Sequence, residues 1–261
     1  MKSHAKYKKP PVTEVVSGLV LEPVPKLKVA HLGAFWPRIM SEFPECEHAI
    51  PLGLEESIAR DLASGSIPLP RLWFINKNQD ELVQLQRDRF YFNWREGPNR
   101  SQYSTYDEIY RKFSQHWTLY REFLAEMGIG LAIRECELTY VNHISHEAGW
   151  TAMSDIDKVM GRMTWQSSKD GFLPAPRSVN WQALFDLPAD KGRLSIKLQP
   201  AFRGEKKEQI LLFELSAKGI GSDRSDKGVD DWFETAHEWI VKGFEELTDR
   251  DVQRSVWGKE R

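Results

Sequence analysis

The chain has 261 residues, 36 basic and 38 acidic side chains for a formal net charge of −2, and 41% hydrophobic residues. That balance is ordinary for a folded globular protein; it argues against intrinsic disorder and against a dedicated nucleic-acid binder, which shows a basic excess or stripe. No apolar run approaches the roughly 20 residues a helix needs to cross a bilayer. The two cysteines, Cys46 and Cys136, lie apart with no CxxC spacing, which speaks against a zinc ribbon or a disulfide framework and fits a reducing compartment. The N-terminus lacks the apolar segment of a signal peptide, so a cytoplasmic setting is expected.

Residues 1–9 read as a flexible tail, the one locally basic stretch, and Pro10-Pro11 stiffens the entry to the body. Residues 12–21 (VTEVVSGLVL) are rich in β-branched side chains and predict a strand. From residue 27 to 43 the period changes: Val29, Leu32, Trp36, Ile39 and Phe43 fall three or four apart, as on one helical face, with Pro37 starting or kinking the helix. Residues 44–69 are mixed, with a short amphipathic helix over 55–63. A strand over 71–76 then forms a hairpin with the next run, through the turn chemistry of Asn78-Gln79-Asp80.

That next run, LVQLQRDRFYFNWRE at 82–96, is the longest strand-like stretch of the chain. Val83 and Leu85 alternate with Gln84 and Gln86. Phe90, Phe92 and Trp94 then alternate with Tyr91, Asn93 and Arg95. The apolar face changes parity around Arg87-Asp88-Arg89, which predicts a bulge or strong bend in one continuous strand. A long helix follows over 103–127, where Tyr106, Ile109, Tyr110, Phe113, Trp117, Tyr120 and Leu124 repeat at helical spacing before Gly128 and Gly130.

The second half opens with a strand over 133–144. A short helix with Ser154 as its N-cap is expected over 154–160. Strands over 178–187, 193–202 and 209–218 form an antiparallel meander, residues 222–228 a polar loop, and 230–247 the last long helix, with Phe233, Ala236, Ile240, Phe244 and Leu247 in its apolar stripe. The expected fold is α+β: a largely antiparallel twisted sheet with long amphipathic helices packed on one face. It divides into a β-α-β-β-α half over 10–130 and a β-meander-α half over 131–261, similar in element order and held in one compact domain.

Several stretches resemble, in order, a sporadically distributed bacterial family of uncharacterised proteins of about this length: YKKPPVTEVV, LGAFWPRIMSEFP, QLQRDRFYFNW, YSTYDEIYRKF, ELTYVNHI, GRLSIKL, WFETAHEWIVKGFEELT and the closing WGKER. The resemblance covers nearly the whole chain. It implies a single-domain bacterial protein of scattered distribution, of the kind found among mobile or defence-associated genes, and carries over no catalytic residue.

Candidate sites come from the residues themselves. Arg87, Arg89, Tyr91, Asn93 and Arg95 share one parity, so an unbroken strand would project them from one face, where guanidinium forks grip carboxylate or phosphate. Trp257, a large apolar residue in a polar C-terminal segment, either packs on the body or anchors a partner. His143, His146 and Glu147 lack the spacing of a metal-binding helix, so no metal site is expected. Glu14, Glu135 and Glu137 could serve acid–base chemistry only if two of them converged in a pocket. No GxGxxG, Walker A or GxSxG motif is present, and no cofactor is expected. The leading expectation is a non-enzymatic binding protein whose Arg-lined sheet face meets a protein partner or small ligand, in a defence or toxin–antitoxin-like locus. The alternative is an enzyme with a pocket between sheet and helices.

Overall fold

A computed structural model describes residues 6–53, 69–98, 103–163, 172–174 and 176–260. Among these residues, nine strands form one antiparallel sheet, hydrogen-bonded in the order β2-β3-β4-β5-β1-β6-β9-β8-β7. In chain order they are β1 (Val12–Leu21), β2 (Glu45–Ala49), β3 (Arg71–Ile75), β4 (Glu81–Gln86), β5 (Arg89–Arg95), β6 (Ile133–Ile144), β7 (Trp181–Asp186), β8 (Arg193–Arg203) and β9 (Glu208–Gly219). The helices are α1 (Val29–Phe35), α2 (Tyr106–Glu126), α3 (Asp226–Leu247) and α4 (Arg250–Ser255). This is the α+β architecture the patterning predicts. No helix among the described residues is long and apolar enough to cross a membrane.

The chain divides into two compact units, Val15–Glu137 on one side and Met1–Glu14 with Leu138–Arg261 on the other. The division falls inside β1 and β6, not in a linker. In the Val15–Glu137 unit, α2 begins with a reciprocal cap: the Thr105 hydroxyl accepts from the Glu108 amide and the Glu108 carboxylate from the Thr105 amide. The helix then lays Phe113, Trp117 and Tyr120 against Phe90 of β5, at ring distances of 6.0, 5.4 and 5.6 Å. Phe90, Phe92 and Trp94 therefore form the core face of β5, and Arg89, Tyr91, Asn93 and Arg95 its reverse. In the other unit α3 packs Phe244 on Phe213 of β9 and His237 on Tyr140 of β6.

Four expectations are corrected. The run over 82–96 is two strands: Gln86 pairs with Arg89 and Glu81 with Trp94, so Arg87-Asp88 is a two-residue hairpin turn and the parity change is a chain reversal. The helix expected over 27–43 is α1 followed by a 3₁₀ turn at Trp36–Arg38 that takes in Pro37, which cannot continue the α-helical hydrogen bonding. The helix expected over 154–160 is a 3₁₀ segment, Met153–Lys158, flanked by Ala152 with no side-chain cap. Part of the expected N-terminal tail is held: Tyr7 pairs with Lys259, and the amides of Lys8 and Lys9 donate to the carbonyls of Gly258 and Trp257. The helix expected over 55–63 lies outside the described residues.

Candidate functional site

The reverse face of β3, β4 and β5 carries a layer of polar side chains, all within the Val15–Glu137 unit. Register places them in two cross-strand rows. Trp73, Gln84 and Tyr91 face one another in the first. In the second Gln86 faces Arg89, and Arg71, one step beyond the Leu72–Leu85 pair, stands on the other side of Gln86. With adjacent strands about 4.8 Å apart, Arg71 and Arg89 spring from points about 10 Å apart, within converging reach of two long side chains.

The layer is joined internally. The Gln84 carbonyl accepts from Trp73 Nε1 (2.9 Å) and from Arg71 Nη1 (3.1 Å), while its amide donates to Asn93 (2.7 Å). Tyr91 OH donates to Glu137 (2.8 Å) and accepts from Arg89 Nη1 (2.9 Å). Gln86 donates to Asp88 and clasps the backbone of Leu52 with both ends of its amide. Gly18 lies beneath Tyr91, close enough that no side chain fits between β1 and the ring. Gln84, Gln86, Tyr91, Asn93 and Glu137 are all buried.

The two arginines differ in electrostatics. Arg89 is half-buried, and burial alone would lower its pKa; Tyr91, Asp88 and Glu137 together outweigh that and raise it. Its ion pairs run to Glu137 (3.7 Å) and Asp88 (3.8 Å). Arg71 has the influence of Tyr91 but no carboxylate pair among the described residues. Its guanidinium lies over the Trp73 ring at 5.2 Å, and its Nε is buried with no hydrogen-bond partner. Burial above all, and then the nearby Arg89 charge, pull its pKa down, with Tyr91 offsetting only part of this. Burial and Glu137 push the Tyr91 phenol well above its ordinary range, so it stays neutral and works as a hydrogen-bonding group.

The structure thus gathers Arg89, Tyr91 and Asn93 of the expected site and leaves out the rest. Arg87 sits in the β4–β5 turn, and Arg95 at the strand's end donates from Nε to the Gln79 carbonyl (2.9 Å). Arg89, Tyr91 and Asn93 are held in internal bonds and are not the outward cationic docking surface that strand parity implied. Trp257 is 1% exposed, ring-packed on Phe244 (5.2 Å) and bonded through Nε1 to the Ala148 carbonyl (3.1 Å), so it packs back on the body. Sequence patterning missed Arg71, Trp73, Gln84 and Gln86. The alternation of Gln84 and Gln86 with apolar residues was the available signal, unusable until the hairpin turn set the register.

The remaining candidates do not assemble. Of the three glutamates, Glu137 is engaged by Tyr91 and Arg89, and Glu14 belongs to the other unit. His143 is half-buried, His146 and Glu147 lie in the turn after β6, and no group of three metal-ligating side chains occurs among the described residues. Burial pushes the Cys136 thiol up to about 12, which removes it as a nucleophile. A cleft of about 260 Å³ lined by Arg38, Glu42, Gln115, His116 and Glu122 holds one close titratable pair, His116 Nε2 at 3.3 Å from Glu42. That ring is buried, stacked on Phe92, with Nδ1 fixed on the Lys112 carbonyl (2.8 Å), an arrangement that anchors α2. Comparison of the chain with family models, curated proteins and solved structures gives no match.

Proposed function

We propose that the chain is a binding protein, not an enzyme, that holds a small anionic ligand at the Arg71–Arg89 row of the polar layer. One observation carries this reading: Arg71 is a partly buried guanidinium with no carboxylate to balance it among the described residues and a second guanidinium acting on it. A desolvated cation without a counter-charge costs stability, and its presence is accounted for by an anion that arrives from outside. Trp73 beside it offers an aromatic face, and the Tyr91 hydroxyl, committed to Glu137 and Arg89, fixes the position of Arg89 in the row. A binding role is favoured over a catalytic one because the carboxylates of the layer are engaged with Arg89 and the phenol is held neutral. The setting proposed with it is a bacterial cytoplasm and a defence-associated locus, supported by the family resemblance and by two free cysteines.

The test is thermal unfolding in phosphate, acetate, benzoate or a sugar phosphate, with chloride at matched ionic strength as the control. A ligand at about 100 times its Kd adds about 2.7 kcal/mol to the state that binds it, a readable rise in Tm. At least one anion is expected to stabilise the wild type and to lose that effect in Arg71→Met. The ligand-free Arg71→Met chain is expected to match or exceed the wild type by up to about 1 kcal/mol, as when a functional charge is removed at a compatible site. A strongly destabilised Arg71→Met, with no anion acting on the wild type, makes Arg71 structural and overturns the proposal.

A further inference from the structure

Among the described residues both ends of the strand order are edges, and they differ in chemistry. β2 carries Glu45, Glu47 and His48, all exposed, over five residues. Charged residues of this kind blunt an edge, since they repel an incoming copy of the same strand. A centred two-fold pairing of β2 with itself would set Glu47 against Glu47. β7 lacks such a device. It reads WQALFD, with one charge, at its end, and among the described residues its only strand neighbour is β8. Leu184 is 59% exposed and Phe185 43%.

We propose that β7 is a homodimer interface, pairing antiparallel with β7 of a second copy about a two-fold axis through Ala183. Antiparallel partners lie on the same face of a sheet, so a two-fold contact can pair only residues of like parity. With the axis at Ala183, Gln182 faces the partner's Leu184 and Trp181 faces the partner's Phe185, each contact made twice. Ala183 meets its own equivalent, small enough for two backbones to close. The result is two aromatic cross-strand pairs on one face, two amide–leucine pairs on the other, and no charge opposite a like charge. β8 supports the arrangement from behind: Phe185 stands opposite Leu194 and Trp181 opposite Leu198, so the interfacial rings continue rows that already pack together. The partner is therefore a second copy of this chain, because the edge is complementary to itself.

Sedimentation equilibrium on the full chain tests this. The wild type is expected to show a monomer–dimer equilibrium, with a Kd of about 10 μM for an interface at the small end of the range. Gln182 and Leu184 are both exposed, so substitutions there spare the core. The double variants Gln182→Lys/Leu184→Lys and Gln182→Glu/Leu184→Glu each place like charges opposite one another and are expected to weaken self-association at least tenfold, with melting curves showing intact folding. Mixing the two is expected to restore a dimer, now Lys facing Glu. Hydrogen exchange gives a second readout: β7 amides of the wild type are expected to exchange more slowly as concentration rises. A monomeric wild type, an undiminished Lys/Lys dimer, or a mixture that stays monomeric overturns the proposal.

Discussion

Replacing Gly18 with alanine probes how tightly the polar layer is built. A Cβ there would stand 2.0 Å from Tyr91 Cδ1 and 2.1 Å from Cε1, far inside contact distance. The ring cannot simply turn aside, because its hydroxyl is tied to both Glu137 (2.8 Å) and Arg89 (2.9 Å). Either β1 shifts or the ring leaves and breaks those bonds. Overpacking of this kind costs about 1–3 kcal/mol. Stranding the buried Glu137 carboxylate without its phenol partner adds about 1–3 kcal/mol. Together about 2–6 kcal/mol is expected, a large part of the 5–15 kcal/mol that holds a typical domain folded. The assay is equilibrium urea unfolding of the wild type, Gly18→Ala, Tyr91→Ala and the double variant. Tyr91→Ala removes the obstacle, so in that background Gly18→Ala is expected to cost less than about 1 kcal/mol, a coupling typical of residues in contact. A single variant within about 0.5 kcal/mol of wild type, or an equal cost in both backgrounds, would refute the close approach and the fixed hydroxyl with it.

Trp257→Ala is expected to cost about 3–5 kcal/mol in urea unfolding, as for other buried aromatics, and to leave anion stabilisation of the chain unchanged; a small loss with altered anion binding would return Trp257 to the site. Glu81 receives Lys112 Nζ at 2.5 and 2.7 Å while itself buried. Glu81→Gln is therefore expected to lose about 1–2 kcal/mol, with a larger loss in Lys112→Met, which strands the buried carboxylate while Glu81→Gln leaves only the more exposed ammonium. Burial, with Arg203 nearby, lowers the His143 pKa, only partly offset by Glu208. The folded state therefore binds that proton less readily than the unfolded chain, and His143 contributes stability above the unfolded value of about 6.5 that is lost as pH falls below it. His143→Gln should flatten the Tm-versus-pH curve between neutral and mildly acid pH; an unaltered slope would show that other groups set it.

What could be read from the sequence was what is local. β1 follows from its β-branched run, β6 from period-two alternation, the β7–β9 meander from strand runs separated by turn residues, and α2 and α3 from apolar stripes at helical spacing. The β4–β5 turn escaped because Arg87-Asp88 has none of the Asn-Gly or Asp-Gly chemistry that marks a two-residue hairpin. It is held by tertiary bonds instead: Gln86 donates to the Asp88 carboxylate, and the Leu21 amide to the Asp88 carbonyl. β2 escaped because it is exposed on both faces and so has no alternation to detect. The start of α3 was placed late because Gly228 reads as a loop residue. In the fold Ser225 caps the helix, and Gly228 lies in its first turn with its Cα so near the Asp223 carbonyl that a Cβ would fall 2.2 Å from the oxygen.

The site was half legible for a related reason. Alternation says which side chains share a face, and it grouped Arg89, Tyr91 and Asn93 correctly; it does not say whether that face meets water. Polar residues are usually taken as solvated, yet here they form a buried layer whose amides and hydroxyl find partners along their own strand, on the next strand, or two strands away. Such partners are set by register, which no single strand encodes. A fully paired layer avoids the penalty of burial but gains little over an apolar one, so pairing explains why the layer is tolerated and not why it is charged. Arg89, with Glu137 and Asp88 beside it, is tolerated on those terms. Arg71 is not, because no carboxylate among the described residues pairs with it, and Tyr91 only partly offsets burial and the neighbouring Arg89 charge. A negative charge opposite Arg71, which the described residues do not place there, is what the proposed anion would bring.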